Sequence, residues 1–363
     1  MERFLFLNSH RAKSGVLEGV QLPLPYVLTS KFFDCGVVDR TGTLDVGFET
    51  KVWSPIPILK STASPFGDVC DHVAEAILDR ADREEKSVDV MWSGGIDSTC
   101  ALVALLQANH SRKTPIRLNV LLTIESIDEY PSFFREFILN KVPYTVVAAP
   151  VTRWLSENSL VVTGEHGDQL FGSDKVLGLI ENGLAFQPYQ IGLEMILMDK
   201  FRDRTHTSTV MSYLEPLLDK SPYPISTAMD MFWWLNFTLK WQQVSLRLAV
   251  FHGKDVRPMI DRIIHFFGDD RFQMWSMQHP DQKIKESLST YKFPAKEYIY
   301  AFTSDSGYLD HKKKQPSLKN IILDRKKQGP ERYRVHMKED YLPVIETFHK
   351  RLKNQIIDNP IGK

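Results

Sequence analysis

A short apolar run, Val88-Asp89-Val90-Met91-Trp92, gives way to Ser93-Gly94-Gly95-Ile96-Asp97-Ser98-Thr99 and resumes as the apolar stretch Ala101 to Leu106. A buried strand, a glycine turn and a helix in direct succession constrain the fold to a parallel sheet with crossover helices. Two adjacent glycines admit backbone conformations and close approaches that side chains forbid. Successive amide N–H groups of such a turn, with the N-terminus of the next helix, form a concave anion site. Ser93, Ser98 and Thr99 add hydroxyls, and Asp97 places a carboxylate where a phosphate-bound cation would need one. The pattern suits a phosphate chain with Mg²⁺. It is not a Walker A loop, because no Gly-Lys-Ser/Thr follows the glycine pair. It is not the dinucleotide fingerprint either, because the third glycine is missing. The plain alternative is a serine-capped glycine turn that binds nothing.

The surrounding pattern agrees with an α/β sheet. Helical spacing begins at Asp68 with Val69, Val73, Ala76, Ile77 and Ala81, and Pro131 to Lys141 reads as a second helix. Strands are expected at Val88–Trp92, Leu118–Thr123, Tyr144–Ala149 and Leu160–Thr163, in a parallel sheet of about five strands. Ahead of them, residues 1–67 read as a small β-rich region, with a hairpin over Phe32–Val38 and Leu44–Trp53 closed by a bracket of turn residues, Asp39 to Thr43. Pro55, Pro57 and Pro65 mark a linker. From about residue 175 the pattern is helical, and Phe232, Trp233, Trp234, Phe237 and Trp241 are expected to form core rather than a ligand box. The expected organisation is 1–67, a main domain over 68–320, and a basic helical tail over 321–363.

Charge and cysteine content exclude several classes. Lys+Arg and Asp+Glu both number 45, so no global field steers the chain to nucleic acid or membrane. Cys35, Cys70 and Cys100 are too few for a disulfide scaffold and suit free thiols in a reducing compartment. With no apolar run of roughly 20 residues and no signal-peptide pattern, a cytoplasmic protein is expected.

Ser93-Gly94-Gly95-Ile96-Asp97-Ser98 resembles the pyrophosphate loop of the ATP pyrophosphatases, which split ATP into AMP and pyrophosphate. A second segment, Val161-Val162-Thr163-Gly164-Glu165-His166-Gly167-Asp168-Gln169-Leu170-Phe171-Gly172, is similar to the Gly-Glu-Gly-Ala-Asp-Glu-Leu-Phe-Gly-Gly stretch of the asparagine synthetase C-terminal domain. Weaker likenesses follow: Arg257-Pro258-Met259-Ile260-Asp261 resembles the family's Arg-x-Pro-Phe-Leu-Asp, and Phe293-Pro294 with His311 to Lys314 resembles its Leu-Pro…Arg-x-Lys segment. The chain is thereby identified as an asparagine synthetase-like member of this superfamily, related to beta-lactam synthetase. The resemblance implies an adenine nucleotide alpha-hydrolase-like sheet, with ATP and Mg²⁺ as cofactors. It implies that Ser93, Gly94, Gly95, Ser98 and Thr99 cradle phosphates, that Asp97 and Asp168 hold Mg²⁺, and that Gly164 touches the nucleotide through its backbone. Glu165 would orient an acyl-adenylate or assist amine deprotonation. Lys313, with Lys312 and Lys314 as alternatives, would stabilise the departing pyrophosphate.

Departures from the family narrow these expectations. Glu2 follows Met1 where the family's glutaminase domain has its cysteine, and about 67 residues are too few for that domain. Lys240-Trp241-Gln242-Gln243 replaces a family Lys-x-Asp-Arg, which puts aspartate as acceptor in doubt. The expected function is an AMP-forming carbon–nitrogen ligase that adenylates a small-molecule carboxylate and passes it to ammonia or an amine. Two alternatives stand beside it. One is adenylation of a nucleobase or nucleic acid, for which the 14 Lys/Arg against 6 Asp/Glu after residue 310 would serve as a backbone track. The other is a silent nucleotide-binding subunit that meets a protein partner through its N-terminal region.

Overall fold

Five short apolar strands become the centre of one of two compact units. In the computed structural model, the described residues are 9–17, 20–47, 49–59, 64–147, 154–156, 158–251 and 256–312. One unit comprises Gly67–Gly164, Leu248–Phe266 and Ala295–Lys363; the other comprises Met1–Phe66, Glu165–Arg247 and Phe267–Pro294. The stretch 68–320 contributes to both, and the basic tail lies outside the described residues.

The first, or sheet, unit holds β1 (Ser87–Met91), β2 (Leu118–Leu122), β3 (Tyr144–Val146), β4 (Ser159–Thr163) and β5 (Ile263–His265). All four pairings are parallel, in the spatial order β3-β2-β1-β4-β5. The chain works outward from β1 to one edge and then returns to the other side. β1 and β4 therefore flank a topological switch point, where ligands of open α/β sheets bind beyond the carboxyl ends of the strands. β4 is buried along its length and β1 at all but its first residue, the continuous burial of a sheet covered on both faces. The helices of this unit include α1 (Phe66–Arg83), α2 (Ile96–His110), α3 (Ile124–Glu129), α4 (Val256–Arg262), α5 (Phe293–Thr303) and α6 (Ser306–His311). The helix expected over Pro131–Lys141 is short, Pro131–Phe133, and continues as a π-helical turn, Phe134–Ile138.

One face of the sheet combines a polar row with an apolar core. Met91, Leu121, Val161 and Ile263 pack with Leu248, Ala249 and Met259. On the same face Asp89, only 7% exposed, accepts from Asn119 Nδ2 at 2.9 Å and from Ser159 Oγ at 2.5 Å. Asn119 accepts in turn from Thr145 Oγ1 at 3.2 Å, so the row crosses four neighbouring strands. A one-residue slip of any strand would break it, which ties the row to register. Asp89→Ala should lower stability by about 3 kcal/mol in urea denaturation, because the buried Ser159 and the half-buried Asn119 lose a charged acceptor. Asp89→Asn keeps the shape and one acceptor and should cost about 1 kcal/mol. Equal costs for the two would show that the carboxylate charge does not organise the row.

The helical unit confirms the aromatic core. Phe232, Trp233, Trp234, Phe237 and Trp241 are each at most 1% exposed. They lie on Ala228–Leu235, the π-helical turn Asn236–Lys240 and Trp241–Phe251. The β-rich expectation for residues 1–67 is corrected. Its described residues form helices at Ser9–Ser14 and Leu24–Phe33, with one ribbon of two residues per strand, Val16–Leu17 against Val20–Gln21. The expected hairpin is replaced because Phe32 and Phe33 end a helix whose first turn contains a proline, and Asp34 closes it in the left-handed conformation. The turn residues that follow close a loop on one side chain: Asp39 accepts from the N–H groups of Thr41, Thr43 and Leu44 at 2.7–2.8 Å. All three cysteines are buried free thiols, and among the described residues no helix is long and apolar enough to cross a membrane.

Candidate phosphate site

The glycine turn lies at the C-terminal end of β1 and runs straight into α2. Its conformation depends on Gly94. Gly94 has φ +76°, and a methyl group there would come within 2.4 Å of the Ser126 carbonyl and 2.8 Å of Glu129 Cβ. Gly95 is the N-cap of α2 and has no side chain to cap the first-turn amides. α2 is buried from Ile96 through Leu105 at every position but Asp97, so its N-terminus is held firmly at the sheet edge. A fifteen-residue helix aimed this way presents the positive end of its dipole at the switch point.

The loop's side chains are already bonded to each other. The Ser93 and Ser98 hydroxyls share a hydrogen bond of 2.8 Å. The Ser93 N–H donates to Ser98 Oγ at 3.0 Å, and the Gly95 N–H donates to Ser93 Oγ at 3.2 Å. Thr99 is fully buried and accepts from the Trp92 indole at 3.0 Å, so it braces the loop from behind. Little conformational freedom remains for a ligand to freeze.

Gly164, directly after β4, packs against the same turn. A methyl group on it would lie 2.6 Å from the Ser98 nitrogen, so the backbone after β4 is pressed against the start of α2. Both segments singled out in the sequence, Ser93–Thr99 and the Thr163-Gly164 end of the second motif, therefore meet at the switch point. Asp97 is half-buried in the first turn of α2. Among the described residues no group of three or more His, Cys, Asp or Glu side chains gathers as a metal cluster. A hard cation such as Mg²⁺ accepts one or two carboxylates and completes its shell with phosphate oxygens and water. Asp97 fits as such a carboxylate.

Of the three lysines at 312–314, Lys312 alone lies within the described residues. Lys312 reaches Glu129 at 3.1 Å, and both side chains are 9% exposed. Lys313 and Lys314 lie outside the described residues. Burial raises the Glu129 carboxyl above its usual value; Lys312 opposes the shift and Asp97 adds to it. Glu129 itself was not anticipated, since nothing near it in sequence marks it as functional.

Glu165 and Asp168 belong to the helical unit, where each already has a cation. Glu165 accepts from Arg247, and Asp168 from the 1%-exposed Lys292 at 2.7 Å. Burial disfavours the Arg247 charge, but Glu165 outweighs it and raises the guanidinium above its ordinary value. Asn236 Nδ2 donates to the carbonyls of Asp168 and Gly172 at 2.9 and 2.7 Å and fixes the segment between them. His166 is left-handed at φ +72° and stacks on Trp241 with centroids 4.0 Å apart. Arg247 and Lys292 were missed for the same reason as Glu129: their partners are far away in sequence.

The chain matches no protein-family model, and no curated protein matches it.

Proposed function

We propose that the chain is an ATP-dependent, AMP- and pyrophosphate-forming ligase of the ATP pyrophosphatase type, with an asparagine synthetase-like nucleotide domain. The observation that carries the reading is the uncapped N-terminus of α2, entered through Gly94-Gly95 at the β1/β4 switch point and backed by Gly164. In this reading the amides of Gly94 and of Ile96–Ser98 receive phosphate oxygens, with the Ser93 and Ser98 hydroxyls as further donors. Asp97 would hold Mg²⁺ through its carboxylate, and the cation would supply neutralisation of phosphate charge. A carboxylate substrate attacks the α-phosphorus and forms an acyl-adenylate as pyrophosphate leaves. Ammonia or an amine then attacks the activated carbonyl and releases AMP. Such a displacement calls for positioning and charge neutralisation rather than covalent catalysis by the protein.

The test is release of AMP and pyrophosphate from α-labelled ATP with Mg²⁺, across a panel of carboxylates, with and without ammonium. AMP and pyrophosphate with one acceptor are the expected products. ADP and phosphate would overturn the reading, because attack would then be at the γ-phosphorus.

A further inference from the structure

The Glu129–Lys312 pair lies against the loop that the proposed function assigns to phosphates, and the inference below rests on that assignment. α3 is packed so tightly against Gly94 that Glu129 Cβ would stand 2.8 Å from a methyl group there. A bare carboxylate beside an anion loop would repel its ligand. Lys312 neutralises it: Nζ donates to the Glu129 carboxylate at 3.1 Å and to the Glu129 carbonyl at 3.4 Å.

Three tertiary contacts deliver Lys312 to this spot. The fully buried Lys296 donates to the Lys312 carbonyl at 3.0 Å. Tyr308 of α6 stacks on Tyr130 with ring centroids 4.0 Å apart. Asp305, at the start of α6, accepts from Tyr130 and Ser132 hydroxyls at 3.2 Å. The end of the described chain is thereby fastened beside the residues that follow α3. Both side chains are only 9% exposed, so this is not the solvent-exposed kind of ion pair that contributes little.

We propose that Glu129 is the resting counter-ion of Lys312, and that a pyrophosphate group in the Ser93–Thr99 loop draws the ammonium from Glu129 onto its own oxygens. Glu129 then competes with the ligand for one cation. It weakens the loop's grip on pyrophosphate and favours release of that product. Glu129 is a positioning residue, acting through Lys312.

The experiment is calorimetric titration of the full chain with inorganic pyrophosphate. Lys312→Met should weaken binding at least about tenfold, the loss of one charge-assisted contact, and Lys312→Arg should restore it to within about threefold. Glu129→Gln should tighten binding about fivefold, because the competitor loses its charge. Glu129→Asp, which draws the carboxylate back by one methylene, should shift it the same way by about twofold and decides the matter if the glutamine variant does not fold. A purely structural pair would weaken binding in every variant. Weaker or unchanged binding at Glu129→Gln, or unchanged binding at Lys312→Met, overturns the proposal while leaving the loop assignment intact. A wild-type chain that binds no pyrophosphate overturns both.

Discussion

With the proposed ligase activity, the Asp97→Asn protein is expected to form AMP and pyrophosphate about a thousandfold more slowly than the wild type, with its melting temperature nearly unchanged. Asp97 is half-buried in the first turn of α2, next to the amides that would receive the phosphates. Asparagine keeps its size and one oxygen but loses the charge that a hard cation requires. Loss of about 4 kcal/mol of transition-state stabilisation, the scale of one preorganised electrostatic group, corresponds to that factor. A carboxylate in a first turn also interacts favourably with the helix dipole, but that contribution is only about 0.3–1 kcal/mol of stability. The two roles separate cleanly. A metal role predicts lost rate at nearly constant stability, whereas a dipole role predicts a lower melting temperature at constant rate. Asp168 is a poorer choice for this comparison: its carboxylate pairs with the 1%-exposed Lys292, so removing it would disturb a buried charge as well as any metal.

The difference between Asp97 and Asp168 illustrates what could be read from the chain. The Ser93–Thr99 loop was legible because everything that shapes it is local: a five-residue strand, two glycines and a helix, each with its own period. Gly164 was legible for the same reason, directly after the apolar run of β4. The strands expected at 88, 118, 144 and 160 all form, and they form a parallel sheet. β5 escaped notice because Ile263–His265 is three residues long and follows α4 without a break. Only its register with β4, Val161 against Ile263, makes it a strand. The N-terminal hairpin failed because Phe32-Phe33 reads equally well as strand or as the end of a helix, and Pro25 in the first turn of Leu24–Phe33 decides for helix. The ion pairs were beyond any local pattern. Glu129 and Lys312 are 183 residues apart, Asp168 and Lys292 are 124 apart, and Glu165 and Arg247 are 82 apart. Such pairs are created by the fold and leave no trace in a window of sequence.

Two further long-range lysines carry the second large expectation: stability should rise with pH between 7 and about 9.5. In the helical unit, the 1%-exposed Lys283 lies 3.8 Å above the Trp233 ring and 3.1 Å from the Tyr223 hydroxyl. Burial lowers it from 10.5 to about 7, against the opposing pull of Asp230 and Asp281. In the sheet unit, burial lowers Lys296 from 10.5 to about 8, with Asp310 opposing. For both groups the folded value is below the unfolded one, so from the folded value up to about 10.5 the unfolded chain binds more protons. Unfolding free energy then increases with pH by up to about 1.4 kcal/mol per unit for each group. From pH 7 to 9.5, Lys283 contributes about 3 kcal/mol, and Lys296, active only above about 8, contributes about 2 kcal/mol. The rise should end near pH 9.5, because burial raises the Cys35 and Cys70 thiols above their ordinary 9.0 and their contribution is lost as the unfolded thiols ionise. Buried phenols such as Tyr26, raised to about 12, add stability below their unfolded value of 10 and lose it above. Urea denaturation at half-unit steps of pH measures the slope. Lys283→Met should remove the part of the rise that begins at pH 7, and Lys296→Met the part that begins above pH 8. A flat wild-type profile across this range would mean that neither ammonium is desolvated in the folded chain, and the anchoring of Lys312 through Lys296 would have to be reconsidered with it.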